Sequence, residues 1–140
     1  MDFLQELNRI MGEQNEIALA TCVDNIPNVR IVNFCYDTQK KGVLYFSTFG
    51  NNAKVEEFSK NNSVAFTTVP HTGNEHVRAT NATVQKSKLT IFDLKEAFVK
   101  KIPSYEIIIE QAGNQLVLHE VHFREAAITI DFTKSGTVTL

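Results

Sequence analysis

Residues 17–36 read IALATCVDNIPNVRIVNFCY. Two short apolar runs rich in β-branched residues, 17–23 and 28–36, flank Asp24-Asn25-Ile26-Pro27. The runs suit a pleated, half-buried surface, and the four residues between them supply turn chemistry. A third run, 43–48 (VLYFST), follows the polar stretch 37–42 (DTQKKG). Three strands joined by short polar turns predict an antiparallel meander. Ala18, Ala20 and Cys22 alternate along the first strand, and small side chains there are expected to face inward against a tightly curved wall.

The same reading extends in both directions. Upstream, Phe3, Leu4, Leu7, Ile10 and Met11 recur at helical spacing, which predicts a helix over 2–13. Asp2 and Gln5 suit its capped start, and Gly12 its end. Downstream, 53–60 reads as a helix with Val55 and Phe58 on its apolar side and Asn52 as N-cap. Strands are predicted over 63–69 (SVAFTTV), 76–86 (HVRATNATVQK), 116–123 and 126–132, with a short edge strand or tail over 136–140. A third helix is expected over 90–101, opened by Thr90 and Asp93 and closed by Pro103. The stretch 104–111 fits either a strand or a buried helical turn. The whole is a mainly β chain of about six antiparallel strands with flanking helices, expected to form a small β-barrel in one domain spanning 1–140.

Composition excludes more than it names. The 140 residues carry 14 Lys and Arg against 16 Asp and Glu, a formal net charge of -2. A domain devoted to gripping phosphate backbone is usually basic, so no nucleic-acid partner is expected. No apolar run has the length of a membrane span, and the first residues lack the pattern of a secretory signal. Cys22 and Cys35 lie in apolar stretches and read as free, small hydrophobes of a reducing cytoplasm. A redox or reactive role for these thiols is the alternative.

The histidines, His71, His76, His119 and His122, do not have the spacing of a metal site. His119 and His122 stand three apart on a strand, which sends them to opposite faces, so no metal is expected. There is no G-x-S-x-G elbow, Walker loop or G-x-G-x-x-G. What remains is a polar cluster. Arg30 shares a strand face with Val32 and Phe34, so it must reach water, an acid or an anionic ligand. Ser47 and Thr48 end the third strand, and Asn51, Asn52 and Lys54 follow at the start of the helix. Hydroxyls, amides, a lysine and a helix start make a pocket for a phosphate. The alternative is a capped helix with a surface lysine, and an arginine paired to an acid.

These residues also carry a resemblance. The segments LAT (19–21), PNVRIV (27–32), LYFST (44–48), NNAKVEEF (51–58), KNNSVAF (60–66) and HVRATNATV (76–84) follow one another at set intervals. In that order they resemble the flavin mononucleotide-binding split-barrel family typified by pyridoxamine 5'-phosphate oxidase. The small size and the helix ending at Ile102-Pro103-Ser104 are similar to its nitroimidazole-resistance branch. The resemblance implies a six-stranded antiparallel split barrel and a homodimer with FMN at the subunit interface. By matched position, Arg30 and Lys54 would meet the phosphate, with Ser47, Thr48, Asn51 and Asn52 beside them. The backbone of Ile31, Val32 and Asn33 would run along the isoalloxazine ring, and His76 would reach the cofactor from the next strand. The implied activity is that of an FMN-dependent oxidoreductase, a reductase or oxidase, acting on an unassigned small molecule. No catalytic acid or base can be named, because a flavin carries the redox chemistry itself.

The chain departs from the pattern in places. Asn81 stands where glycine is usual, Asn62-Ser63 replaces a proline-containing turn, and Asn33 interrupts an apolar run. The end, DFTKSGTVTL, lacks the Arg- and His-bearing segment with which the oxidase holds its substrate, so vitamin B6 oxidation is not expected. A non-catalytic flavin- or heme-binding module is the alternative function, and a ligand-free scaffold the third. Deazaflavin is a further cofactor compatible with the pattern.

Overall fold

The computed structural model describes residues 1–50 and 53–140. Helix α1 (Phe3–Glu13) starts at Asp2, whose carboxylate accepts the Gln5 backbone N–H at 3.2 Å, and runs through Gly12 to a cap at Gln14. Strand β1 (Glu16–Val23) turns into β2 (Ile26–Asn33) through Asp24 and Asn25, both in the left-handed region at φ 54° and 64°. Asp and Asn tolerate that conformation better than most residues, which is why a two-residue turn closes here. The chain breaks its ladder at Phe34 and resumes as β3 (Cys35–Tyr36), then returns along β4 (Val43–Phe49). Helix α2 (Ala53–Lys60), β5 (Ser63–Thr68) and β6 (His76–Lys86) follow. Helices α3 (Lys95–Lys101) and α4 (Tyr105–Ala112) lead to β7 (Leu116–His122), β8 (Glu125–Asp131) and β9 (Lys134–Thr139). The 104–111 stretch is therefore helical, and the predicted third helix is shortened to its last two turns.

The expected six-stranded barrel is not what forms. Nine strands make one sheet in the order β2-β1-β5-β6-β7-β4-β3, with β8 pairing β6 and β9 pairing β8. The path is open, because among the described residues β2 pairs only with β1 and β3 only with β4. Its two ends are halves of one chain segment, joined at Phe34, whose N–H extends the β1 register to the Asn15 carbonyl at 3.1 Å. Among the described residues no ladder hydrogen bond closes the sheet.

The sheet also branches. The first residues of β6, His76 to Arg78, pair with β8, and the last, Thr83 to Lys86, pair with β7. Asn81 lies between the two partners at φ 57°, and β5 shifts register alongside it between Val64 and Phe66. An asparagine thus performs the bend for which the pattern usually takes glycine.

Two cores follow from the side-chain alternation. The larger packs Leu7, Ile10 and Met11 of α1 against Ile17, Leu19, Phe34, Phe46 and Phe66. Full burial of a side chain such as Phe34 stabilises the fold by about 1.5–3 kcal/mol. The smaller core sets Phe98, Tyr105 and Ile109 of α3 and α4 on Cys35, Tyr45 and Leu118. So β3, β4 and β7 contribute to both cores. On β1 the inward residues are Ile17, Leu19 and Thr21, while Ala18, Ala20 and Cys22 take the opposite face. The expectation for these small residues is reversed, because an open sheet filled by phenylalanines has no need of a small-residue inner wall. Their face continues through Val29 and Ile31, which are 62% and 54% exposed, and through Ala65 and Thr67 of β5.

Candidate functional site

Helix α2 lies against β1 and β2 and brings Glu57 to Arg30. The Arg30 guanidinium donates to Glu57 Oε1 at 2.6 Å and to the Thr21 hydroxyl at 2.8 Å. Thr21 in turn donates to Glu57 Oε2 at 2.5 Å, and the Asn28 amide reaches Oε1 at 3.3 Å. The Arg30 and Glu57 side chains are only 16% and 18% exposed. The Thr21 hydroxyl, with the Arg30 charge behind it, holds the Glu57 carboxyl below its usual range against the opposing effect of burial. Arg30 is thus the arginine paired to an acid that the bland reading of the sequence offered.

Lys54 stands three residues before Glu57, on the same side of α2. Burial, and then the Arg30 charge, push its amine below the usual value, while Glu57 pulls it back up. It forms no ion pair among the described residues. Arg30 and Lys54 therefore share one electrostatic neighbourhood, with the Glu57 carboxylate acting on both. The donor set of guanidinium, amine, hydroxyl and amide fits an anionic group such as a phosphate. A cleft of about 560 Å³ opens on its Glu57 and Asn28 side, lined also by Asp24, Ile26, Pro27, Glu56 and Lys60, but not by Arg30 or Lys54.

The other residues predicted from the sequence distribute unevenly. Ser47 is half-buried and Thr48 buried at the end of β4, with the Thr48 hydroxyl 3.5 Å from the Phe49 carbonyl. Ile31, Val32 and Asn33 lie on β2, laddered to Ala18, Ile17 and Glu16. The other edge of β2 carries no ladder among the described residues. His76 is set apart at the start of β6, opposite Thr129, with its Nδ1 2.7 Å from the Asn74 carbonyl. Asn51 and Asn52, and with them the predicted N-cap, lie outside the described residues.

Sequence reasoning missed Glu57, Thr21 and Asn28 as members of this cluster. The signal was the Lys54–Glu57 spacing, which puts an acid on the same side of α2 as the lysine. His119 and His122 do take opposite faces. His119 is buried and stacked on Phe46 with ring centres 5.4 Å apart, and burial lowers its pKa. His122 meets Glu120 at 2.8 Å. Cys35 is buried, its thiol pushed up to about 11 by burial, and Cys22 is half-buried.

Residues 10–135 match the family model described as pyridoxamine 5'-phosphate oxidase-like. The chain belongs to that family. No curated protein matches the sequence of this family member. Solved structures with the oxidase-like fold do match. A protein related to general stress protein 26, of the pyridoxinephosphate oxidase family, from Clostridium acetobutylicum is 16% identical. The alignment covers 99% of this chain and 94% of that one, at a TM-score of 0.74. A NimC/NimA family protein from the same organism is 19% identical over 99% and 94% of the two chains, at 0.68. A heme binding protein from Mycobacterium smegmatis is 10% identical at a TM-score of 0.78, covering 99% of this chain and 58% of that one. At these identities the likeness is one of fold.

Proposed function

We propose that this oxidase-like chain binds FMN and serves as an FMN-dependent oxidoreductase for a small molecule. The observation that carries the reading is the shared electrostatic neighbourhood of Arg30 and Lys54, with Arg30 on β2, whose other edge carries no ladder among the described residues. Arg30 and Lys54 would hold the phosphate, with Ser47 and Thr48 nearby and Asn51 and Asn52 from the helix start. The backbone of Ile31, Val32 and Asn33 would border the ring. When bound, the flavin supplies the hydride and electron chemistry, and the protein supplies orientation and charge.

His76 stands away from the Arg30 cluster within one chain, so its part in the site requires a second copy. A homodimer is the partner we infer, formed through the uncovered face of Ala18, Ala20, Val29 and Ile31. The reduced thiols suit the cytoplasm. Among the described residues no helix is long and apolar enough to cross a membrane.

The absorption spectrum of the purified protein tests the reading. A visible flavin spectrum, present at purification or gained on adding FMN, is expected. A protein that stays colourless and takes up no FMN overturns it. The second reading is a flavin or heme module without turnover, favoured by the fold shared with the mycobacterial heme binding protein. Bound cofactor that NADH and NADPH fail to reduce would support it.

A further inference from the structure

We propose that Arg78 and Arg124 form a second anion site, which takes the diphosphate group of a soluble organic diphosphate ester. It shares no residue with the Arg30 cluster and does not rest on the flavin reading. The strand register places it. Ile31 pairs with Ala18, Ala18 with Thr67, Thr67 with Arg78, Arg78 with Ala127, and Ala127 with Thr137. Directly paired residues share a face, so this row crosses the uncovered face of the sheet. Val77 and Ala79, on either side of Arg78, point the other way into the larger core. The methyl group of Ala127 stands between two longer side chains and leaves a hollow there. A cleft of about 530 Å³ occupies it, lined by Arg78, Ala127 and Thr137, and also by Thr80, Thr139 and Arg124.

The chain's other two arginines are both held by carboxylates, Arg9 by Glu6, Glu13 and Glu75, and Arg30 by Glu57. Arg78 and Arg124 are exposed, and among the described residues neither side chain makes a hydrogen bond or an ion pair. Glu125 is the acid that lines the cleft. A neighbouring cleft of about 590 Å³ shares Asn81 and Arg124 with the first and adds Lys41 and His122. His122 is tied to Glu120 at 2.8 Å. Lys41, Arg78 and Arg124 against Glu125 leave the joined clefts positive.

Donor geometry selects the anion. Each guanidinium fork can engage two acceptor oxygens at once. Two forks ask for more oxygens than a carboxylate has, and more than the three of a phosphate monoester. A diphosphate has enough, and the hydroxyls of Thr80, Thr137 and Thr139 can donate to those that remain. The second cleft gives room for an organic part against Val43, Phe123 and Leu140, which favours an ester over free pyrophosphate.

Isothermal titration at low ionic strength with ADP, AMP and inorganic pyrophosphate tests this. Saturable binding of ADP by the wild type is expected, about tenfold tighter than AMP and tighter than pyrophosphate. Arg78→Gln and Arg124→Gln, both at exposed positions, should each weaken ADP about tenfold or more. Lys54→Ala should bind ADP as the wild type does. No saturable ADP binding, or unchanged ADP affinity in both arginine variants, overturns the inference. So does an ADP affinity lost in Lys54→Ala, which would put the ligand at the flavin phosphate position. Pyrophosphate binding as tightly as ADP overturns the assignment to an ester. ADP binding by a protein that takes up no FMN removes the flavin reading and leaves this site standing.

Discussion

The Arg30 guanidinium and the Glu57 carboxylate meet at 2.6 Å and tie the middle of β2 to helix α2. Thr21 on β1 bonds to both partners, so three elements share one polar knot with α2 above it. This knot fixes where Lys54 stands and therefore where positive charge gathers. Breaking it should cost stability as well as any ligand. Truncating one partner of a fully buried ion pair costs about 3–5 kcal/mol, and the partial exposure here brings that to about 2–3. Arg30→Ala should lose that amount in urea unfolding. Arg30→Ala/Glu57→Ala should lose less than the sum of the single changes, because the stranded charge is gone.

The knot also gives a pH dependence. The folded Glu57 carboxyl lies below its ordinary 4.5. A depressed carboxyl contributes stability above its unfolded value and loses it as pH falls through the folded one. Below about pH 4.5 the wild type should therefore lose stability faster than Glu57→Gln. Parallel acid unfolding curves for the two proteins would contradict this.

Lys101 is a half-buried cation whose contribution likewise rises with pH, in an alkaline window. Its amine donates to the Met11 carbonyl at 2.8 Å and lies 3.7 Å from the centre of the Phe34 ring. Burial pushes its pKa down to about 8 from 10.5. Between those values the unfolded chain binds the extra proton, so stability from this group rises with pH. Against Lys101→Met, which has no such proton, the wild type should gain about 2–3 kcal/mol across that window. Denaturant midpoints at its two ends measure it.

Asn81 bends β6 where its partner changes from β8 to β7. Asn81→Gly should fold with little change. Asn81→Val places a β-branched residue at φ 57° and should cost about 1–3 kcal/mol in thermal or urea unfolding.

The uncovered face gives a prediction on assembly. Ile31→Glu puts a charge among Ala18, Val29 and Thr67 without touching either core. Sedimentation should give a particle of twice 15.8 kDa for the wild type and a folded monomer for Ile31→Glu.

Local chemistry was legible in the sequence, and closure was not. The alternation of His76 to Lys86 predicted β6 with the bounds it has. The turn after β1, read over 24–27 and formed by Asp24 and Asn25, and the α2 helix were equally readable, since each depends on a few adjacent residues, whereas the bend at Asn81 came from the family pattern. The inner face of β1 was read backwards, because Ala18 and Ala20 look core-like until Ile17 and Leu19 are seen buried in the larger core. The sheet's openness depends on the break at Phe34 and on β6 sharing one edge between β7 and β8. No local pattern encodes either. In the site, Arg30 and Lys54 announced themselves by type, whereas Glu57 reaches Arg30 only once α2 has docked.

Titration of FMN into the purified protein and into Lys54→Ala tests the central claim most directly. The account predicts saturable binding by the wild type, weakened about ten- to a hundredfold in Lys54→Ala by loss of a charge-assisted contact of about 1.5–3 kcal/mol. Equal FMN affinity in the two proteins would contradict it.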